Sequence, residues 1–346
     1  MKGRTIALGH VDGRPAAALI VDGRLEDFLI DPPDDTAPVP GTIFRAICDR
    51  PLKGQGGMML RLPAETGFLR QTKGLRAGQT LIVQVTGYSE PGKAVPLTDR
   101  ILFKSRYAIV TPNAPGTNIS RAIKDEEERV RLREIGSEVM QGETAAGLIL
   151  RSAAQGAPDR DIADDITQML DINSKILADR NGTQAELLLD GPGAHELAWR
   201  DWDTPDNWAD NPNAFEDYGV REMIDAMLCE QFNLPNRAHA YIQSTRALVA
   251  IDVNTGPDTS GAAALKANIA LARDLPRQLR CRGLGGQLTI DFAPLSKKDR
   301  KQVEQVLRST FRRDLIETAL AGWTPLGHFE LQRKRERLPI GESLHS

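Results

Sequence analysis

The sequence predicts a multi-domain α/β protein in which strands and helices are mixed in an α+β manner. Two observations predict this fold class. Short strand-like runs separated by Gly-rich turns fill the first hundred residues, and two longer apolar runs joined by a helix-like segment stand within residues 247–295. A length of 346 residues allows two or three compact domains, each with its own core.

Two apolar runs, 247–253 and 287–292, each carry an aspartate near the carboxyl end, Asp252 and Asp291. Because strand side chains alternate between faces, Asp252 and Asn254 fall on one face and the aliphatic residues on the other. Two carboxylates on neighbouring strands would form the hard, oxygen-rich site that suits Mg²⁺. The spacing alone also allows both aspartates to cap adjacent turns or to pair with nearby arginines.

Four segments, in this order and spacing, resemble the catalytic core of the ribonuclease E/G family: A-I-D-V-N-T-G, R-D-L-P-R-Q-L-R-C-R-G-L-G-G, T-I-D-F and G-H-F-E-L-Q-R-K-R. The similarity is strongest over residues 244–337. It implies an Mg²⁺-dependent endoribonuclease that acts on single-stranded RNA. It also implies that Asp252 and Asp291 bind the metal, and that Asn254 positions the attacking water or the metal's shell.

The resemblance further implies an order of domains. The expected parts are the first part of a split RNase-H-like domain, an inserted OB-fold barrel, a 5′-sensor-like region, a shortened second RNase-H-like part and a DNase-I-like catalytic α/β domain. Their expected bounds are, in that order, 1–39, 40–104, 105–182, 183–210 and 211–346.

The residues themselves support the first two parts of this order. Between residues 4 and 30, three apolar runs with an Asp22-Gly23 turn predict a β-meander. Between residues 41 and 104, five short runs with Gly-rich turns predict a small barrel.

RNA contacts of the barrel are implied at two residues, Phe68 and Lys93, which stand where the family's contacts lie. An aromatic residue stacks on bases and a lysine follows the phosphate backbone. The family's other aromatic residue is replaced near Met58 or Met59, and the barrel is shortened. Phe68 alone is equally compatible with a place in the core.

A pocket for the 5′-monophosphate of RNA is implied at Arg121, Arg151 and Ser152, the last replacing the family's usual threonine. A guanidinium and a hydroxyl suit a terminal phosphate chemically. Another arginine of that pocket would fall within residues 314–317, where no basic residue stands. The alternative for Arg151 is pairing with an acidic helix predicted over 161–178.

Charge is unevenly distributed along a chain whose net charge is −3. Residues 297–337 hold eleven Lys/Arg against six Asp/Glu, and residues 155–230 hold five against eighteen. This asymmetry predicts a basic lobe that faces RNA, including Lys297 and Lys298 at the start of a helix. A merely solvated charged surface is the alternative.

The local sequence also predicts two helices and the environment of several residues near them. Residues 262–282 predict a helix that ends at Gly283 and is kinked or broken at Pro276. Its arginines are expected to meet phosphates or water: Arg273, Arg277, Arg280 and Arg282. A helix over 220–232 is expected to turn Cys229 towards a core. His239 is interpreted as structural, and three tryptophans are interpreted as packing residues: Trp199, Trp202 and Trp208.

The three cysteines are widely spaced and include no C-x-x-C, which predicts a reducing compartment and no structural zinc. No apolar run has membrane length, and no signal-peptide-like region follows the N-terminus, so a cytoplasmic protein without a membrane partner is expected. Longer family members continue into a zinc-binding cysteine pair and a dimerisation domain. Since this sequence stops before both, the zinc-linked oligomer is not expected, and the oligomeric state stays open.

The function predicted from these observations is hydrolysis of single-stranded RNA, in RNA processing or decay, with 5′-phosphate products. Two alternatives stay open at this stage. One is an RNA-binding regulatory relative with weak or no nuclease activity, and the other is a metal-dependent phosphodiesterase or DNase. A basic lobe fits any polyanion and therefore does not separate them.

Overall fold

The structure is a computed structural model that describes residues 2–33, 38–52, 54, 56–70, 73–90 and 92–344. The chain divides into two compact units. The first unit combines residues 1–34 with residues 205–346, and the second consists of residues 35–204. Each unit has strands and helices of its own, so the predicted mixed α/β class is confirmed.

The elements follow one another along the chain. The first unit opens with β1 (Arg4–Val11), β2 (Arg14–Val21) and β3 (Arg24–Ile30). The second unit then forms β4 (Ile43–Leu52), β5 (Gly57–Arg61), β6 (Thr66–Leu69), β7 (Thr80–Val85), β8 (Val95–Thr98), β9 (Phe103–Lys104), β10 (Ala108–Thr111), β11 (Gly116–Ile119), α1 (Glu126–Val139), β12 (Gly147–Leu150), α2 (Asp159–Ala178), β13 (Glu186–Leu189) and α3 (Ala194–Asp201).

The first unit resumes after residue 205. Its remaining elements are β14 (Asn207–Ala209), α4 (Ala214–Asp217), α5 (Val220–Leu228), β15 (Gln231–Asn233), β16 (His239–Ser244), β17 (Val249–Asn254), α6 (Gly261–Arg282), β18 (Gly286–Asp291), α7 (Lys297–Phe311), β19 (Thr318–Trp323), β20 (Phe329–Arg333) and α8 (Ile340–Ser343). No helix within the described ranges combines the length and the apolar character that a membrane span requires.

The predicted β-meander is confirmed in β1, β2 and β3, which form a sheet in the order β14-β1-β2-β3. Asp22 and Gly23 have φ values of 51° and 78°, as a two-residue hairpin turn with both central residues left-handed requires. The added strand β14 pairs with β1 in the parallel direction.

The predicted small barrel is also confirmed. Within the described part of this unit, five strands pair in the order β4-β5-β6-β8-β7, and β7 pairs again with β4 to close the barrel. Strand β6 runs parallel to β8, and the other pairs are antiparallel. Alternate side chains fill the interior, among them Met58, Leu60, Val83 and Val95. Strand β13 pairs with the outer side of β4.

A second sheet of this unit has the order β11-β12-β10-β9 and packs against α1 and α2. The acidic helix predicted over 161–178 is confirmed as α2. Its apolar stripe is buried, with Ile162 and Ile166 fully covered. The exposed residues of α2 are mostly polar or charged, as the amphipathic pattern predicts.

The tryptophan prediction is confirmed for Trp202, which is buried. Trp199 is different because half of its surface is exposed. The guanidinium of Arg106 lies 4.3 Å from the centre of the Trp199 ring, so this tryptophan packs against a cation rather than against a core.

The largest sheet of the first unit has the order β15-β16-β17-β18-β20-β19. Helices α6 and α7 cover one face of this sheet, and the core between them includes Ile251, Leu271, Ile290 and Leu307. Strand β19 was not predicted from the sequence.

Helix α6 begins at Gly261 and continues past Pro276, so of the two expected outcomes, a kink or a break, the break does not occur. It ends at Gly283, whose φ of 68° is the predicted left-handed C-cap. The expectation for Cys229 is wrong: α5 ends at Leu228, and the cysteine after it is exposed.

Candidate active site

The two predicted aspartates lie side by side in the central sheet of the first unit. Strands β17 and β18 are parallel neighbours joined by the crossover helix α6, and their register places Asp252 directly beside Asp291. Because both residues occupy the carboxyl ends of their strands, they stand at the edge where ligands of open α/β sheets bind.

The predicted alternation of faces is confirmed on both strands. Val249, Ile251 and Val253 point into the core, whereas Asp252 on the same strand is exposed. On β18, Ile290 is fully buried, and the neighbouring Asp291 has 65% of its side chain exposed. The carboxylates therefore point away from the core and are exposed to solvent.

Asn254 lies two residues beyond Asp252 on the same face. Its Nδ2 donates a hydrogen bond of 2.7 Å to Asp252 Oδ2. This bond occupies one oxygen of the carboxylate, and the amide oxygen of Asn254 can accept a hydrogen bond from a water or a ligand.

His328 borders the carboxylate pair and was not selected from the sequence. Its Nε2 lies 3.8 Å from Asp291 Oδ1, and the imidazole is partly exposed. The residue reaches this place because the turn between β19 and β20 returns the chain to the sheet beside β18. The Thr324-Pro325-Leu326-Gly327 sequence is a turn signal that, combined with a strand on each side, predicts this hairpin.

The oxygen-rich pair fits a hard divalent cation. Asp252 and Asp291 each offer a solvated carboxylate, and Asn254 adds an amide oxygen nearby. Across the described residues, no group of three or more His, Cys, Asp or Glu side chains is arranged to hold a metal. A two-carboxylate set suits Mg²⁺, which keeps several of its waters, better than it suits zinc, which takes a closed set of protein ligands.

Lys297 and Lys298 are both exposed in the first turn of α7. The N-cap of this helix is Ser296, whose Oγ accepts a hydrogen bond of 3.2 Å from the Asp299 backbone N–H. The loop that leads to this turn starts at the end of β18. Two solvated cations thus follow Asp291 closely along the chain.

The expectation for the arginines of α6 is wrong in three cases. Arg277, Arg280 and Arg282 are buried and bind protein groups rather than phosphate or water. Arg277 donates to Asp274 and to the carbonyl of Leu25, Arg280 binds Asp314 and Glu26, and Arg282 binds the carbonyls of Met227 and Cys229. Arg273 is the member of the set that is exposed.

The basic C-terminal segment also contributes fewer surface cations than its composition indicates. Arg333 is buried and binds Asp314, and Arg337 donates to the buried Asp27 at 3.1 Å. Within residues 314–317, where a sensor arginine was sought, Asp314 instead accepts hydrogen bonds from buried arginines. A charge count over sequence therefore overstates the positive surface of this region.

In the second unit, Arg121, Arg151 and Ser152 follow the ends of two adjacent strands. Strands β11 and β12 are parallel, with Ile119 beside Leu150, and the three residues follow the ends of these strands directly. Arg121 and Ser152 are exposed. The predicted members of a phosphate pocket thus stand on adjacent chain segments.

Arg151 is paired, but not with the acidic helix α2. It binds Asp201 at 2.8 Å and donates to the carbonyl of Arg200 at 2.9 Å and to that of Ser105. Asp201 also binds Lys104 at 2.8 Å and Arg200 at 2.8 Å. One carboxylate therefore faces three cations.

Burial and charge act in opposite directions on this cluster. Burial raises the pKa of Asp201, but hydrogen bonding and the charge of Arg200, followed by Lys104, outweigh it and hold the pKa well below its usual range. Burial lowers the pKa of Lys104 and of Arg151, and Asp201 offsets part of that shift. The excess of positive charge is suited to an anion.

Phe68 lies outside the barrel core. It is half-buried, it pairs across the sheet with Met59, and its ring covers the backbone of Gly57 so closely that a Cβ there would clash with it. Lys93 is exposed, and its ammonium binds Glu90 at 2.5 Å. Phe68 is therefore only partly accessible to solvent, whereas Lys93 is exposed.

The comparison with protein families decides the assignment. A sequence model of the ribonuclease E/G family matches residues 103–207 and 206–336, which is more than half of the chain. This chain belongs to the ribonuclease E/G family. The matched ranges of this ribonuclease E/G family member include Arg151, Asp252 and Asp291, whereas Phe68 and Lys93 lie outside them.

Curated relatives carry the names of the same family. This family member is 29% identical to ribonuclease E of Nostoc sp. across 78% of its own chain and 45% of the relative. It is 27% identical to ribonuclease G of Salmonella typhimurium across 76% of its own chain and 61% of the relative. It is 26% identical to ribonuclease G of Escherichia coli across 77% of its own chain and 62% of the relative. The alignments thus span roughly half to three fifths of these relatives' length.

Proposed function

We propose that this member of the ribonuclease E/G family is an endoribonuclease that hydrolyses single-stranded RNA and leaves 5′-phosphate and 3′-hydroxyl ends. One observation carries the proposal: Asp252 and Asp291 stand in register on the exposed face of a sheet whose other face is the core. The names of the curated relatives support the reaction type.

Mg²⁺ is the proposed cofactor, held by Asp252 and Asp291. When bound, the ion would neutralise charge on the phosphodiester and make water more nucleophilic. The chain's own groups set the geometry. The Asn254 amide nitrogen donates a hydrogen bond to one oxygen of Asp252, and its amide oxygen would accept a hydrogen bond from the attacking water and so orient it.

Two lysines and the barrel are the proposed RNA-binding groups. Lys297 and Lys298 are exposed close behind Asp291 and would contact phosphates on one side of the cleaved bond. The barrel is proposed to be the family's OB-fold, in which the Phe68 ring stacks on a base and Lys93 meets the backbone. The Glu90 carboxylate competes with phosphate for Lys93, which predicts a weak contact at that position.

The edge formed by Arg121, Arg151 and Ser152 is proposed to recognise a 5′-monophosphate. The cluster around Asp201 contains three cations and one carboxylate, so an arriving phosphate would meet net positive charge. Because Arg151 already binds Asp201, the phosphate must share this arginine or displace the carboxylate. The proposal therefore includes a modest, not an absolute, preference for monophosphorylated RNA.

The decisive experiment follows cleavage of a short fluorescent single-stranded RNA by the full chain with Mg²⁺ or with EDTA. Asp252→Asn and Asp291→Asn are each expected to lower the rate about a thousandfold or more while RNA binding survives, since each removes a ligand charge from the site. Asp225→Asn, an exposed charge change on α5, is the matched control and should cut normally.

Cleavage that persists in either site variant would remove that aspartate from the mechanism. A DNA strand of the same sequence tests the DNase alternative in the same assay. The RNA-binding alternative is favoured by one observation, the pairing of Arg151 with Asp201. Tight RNA binding without Mg²⁺-dependent cutting would establish that alternative and overturn the proposed reaction.

A further inference from the structure

Two aromatic rings lie on the same face of the sheet as the carboxylate pair. Strand β16 runs antiparallel to β17, with Tyr241 opposite Asp252 and His239 opposite Asn254. Residues directly opposite each other in such a pair point to the same face. The intervening residue Ala240 is fully buried, which places both rings on the outer face.

The rings form a single small surface. Their centres are 5.6 Å apart, their planes meet at 82°, and each side chain is about half-buried. Tyr241 Oη donates a hydrogen bond of 2.9 Å to Gln231 Oε1 on the neighbouring edge strand β15. This bond and the contact with His239 hold the phenol ring in place before any ligand arrives, which lowers the entropy cost of binding.

The distance from this surface to the carboxylates suits one nucleotide. Side chains opposite each other on adjacent strands have their Cβ atoms roughly 5 Å apart. If a cation held by Asp252 binds the scissile phosphate, the base of an adjoining nucleotide would lie within reach of the Tyr241 ring. Farther along β16, the next residue on this face is Gln243, which has no ring and pairs with Glu230.

We propose that Tyr241, supported edge-on by His239, is a stacking platform for the nucleobase of a nucleotide that adjoins the scissile phosphodiester. The inference rests on the proposed function and deepens it, because it states where the substrate's base lies in that same site. Stacking on an aromatic ring tolerates any base, so the platform determines register along the strand rather than sequence.

The first test compares steady-state kinetics of variants on one RNA. Tyr241→Ala and Tyr241→Leu are expected to lower kcat/KM by about 5- to 100-fold, mainly through KM, because stacking acts equally in the bound substrate and in the transition state. Tyr241→Phe keeps the ring and should stay within about threefold of the native chain. Tyr241→Leu keeps an apolar side chain on the sheet but removes the ring. A loss of activity in this variant can therefore be assigned to lost stacking and not to unfolding.

The matched control is Gln243→Ala, which changes the same face of the same strand beyond the platform. It should leave kcat/KM unchanged. If Tyr241→Leu behaves like Gln243→Ala, or if Tyr241→Phe falls as far as Tyr241→Leu, the ring is not a stacking platform.

The second test removes the base instead of the ring. Abasic residues are placed one at a time on each side of the cleaved bond. At one of the two positions, the abasic residue should strongly lower kcat/KM of the native chain but should not lower kcat/KM of Tyr241→Leu any further. This result is expected when both changes delete the same contact. If the abasic residue lowers kcat/KM of the native chain and of Tyr241→Leu by the same factor, the proposal is overturned.

A third readout does not depend on cleavage. In an Asp252→Asn background without added metal, 2-aminopurine is placed at each position of the RNA in turn. At one position its fluorescence should fall on binding, and Tyr241→Leu in that background should abolish the fall. If the native chain cuts no RNA but this quenching persists, the proposed reaction fails and the platform stands. If quenching is the same with and without the tyrosine, the platform fails whatever the reaction.

Discussion

Arg333 binds Asp314 in the interior of the first unit, with an N–O distance of 2.5 Å and neither side chain exposed. Arg280 binds the same carboxylate from α6, and Arg280 in turn approaches Asp27 of the β-meander. One buried carboxylate therefore joins the last strand of the central sheet to the crossover helix between the two aspartates.

Loss of this carboxylate's charge should destabilise the fold strongly. Asp314→Asn is expected to lower the free energy of unfolding by about 3–5 kcal/mol. It leaves the buried Arg333 without its ion-pair partner, while Arg280 keeps its pair with Glu26. Urea denaturation followed by circular dichroism measures the change. Glu317→Gln, which breaks only the exposed pair with Lys334, is the control and should cost no more than about 1 kcal/mol. Equal stability of both variants would contradict the structural role of Asp314.

The 5′-end preference should depend on Arg151. Arg151→Gln is expected to reduce the ratio of rates on 5′-monophosphate and 5′-hydroxyl RNA about tenfold, since a charge-assisted bond to phosphate is lost. The rate on 5′-hydroxyl RNA should change little. Arg180→Gln, an exposed arginine of the same unit, is the control. A native chain with no preference at all would remove the sensor from the proposed function.

Thiol labelling should distinguish the three cysteines. Cys229 is exposed, whereas Cys48 and Cys281 are buried. Burial raises the pKa of Cys48 and raises that of Cys281 to about 12, so neither forms a thiolate readily near neutral pH. A thiol reagent at pH 8 should therefore label one cysteine quickly in the folded chain and all three in urea. Loss of the fast phase in Cys229→Ser identifies the site.

Acid should weaken the contact between the start of α2 and α1. Hydrogen bonds from Arg131 and from the Gly156 backbone N–H lower the pKa of Glu128 from 4.5 to about 2. Because the folded pKa is the lower one, the stabilisation is complete above about pH 4.5 and is lost as the pH falls towards 2. The melting temperature of the native chain should exceed that of Glu128→Gln at pH 7, and the gap should close below pH 3. If the difference in melting temperature between the native chain and Glu128→Gln does not change with pH, the ionised Glu128 carboxylate does not contribute to stability.

The sequence predicted those parts of the fold whose patterns are local. Alternating apolar residues in β17 and β18 placed Asp252 on the outer face, and the turn residues Asp22 and Gly23 fixed the first hairpin. Five short runs with Gly-rich turns were enough to predict the barrel. In each case the periodicity of side chains reports directly which face is buried.

Features that depend on distant partners were not accessible in the same way. In the sequence, Arg280 and Arg333 look like surface cations. Both are in fact buried against Asp314, and this pairing is not visible in the sequence because Asp314 is far from Arg280 along the chain. His239 looked like a lone structural residue until the pairing of β16 with β17 placed it opposite Asn254. His328 reaches Asp291 only through the hairpin of β19 and β20, of which the first strand was missed.

The interrupted first unit has a consequence for synthesis on the ribosome. Arg4 hydrogen-bonds Asp206, a partner 202 residues later, and β1 pairs in parallel with β14. The meander therefore emerges with one edge of β1 unsatisfied, and residues 35–204 are translated before that edge is covered. A nascent chain halted before residue 205 presents an open strand edge, so slow or stalled translation through the second unit would favour aggregation.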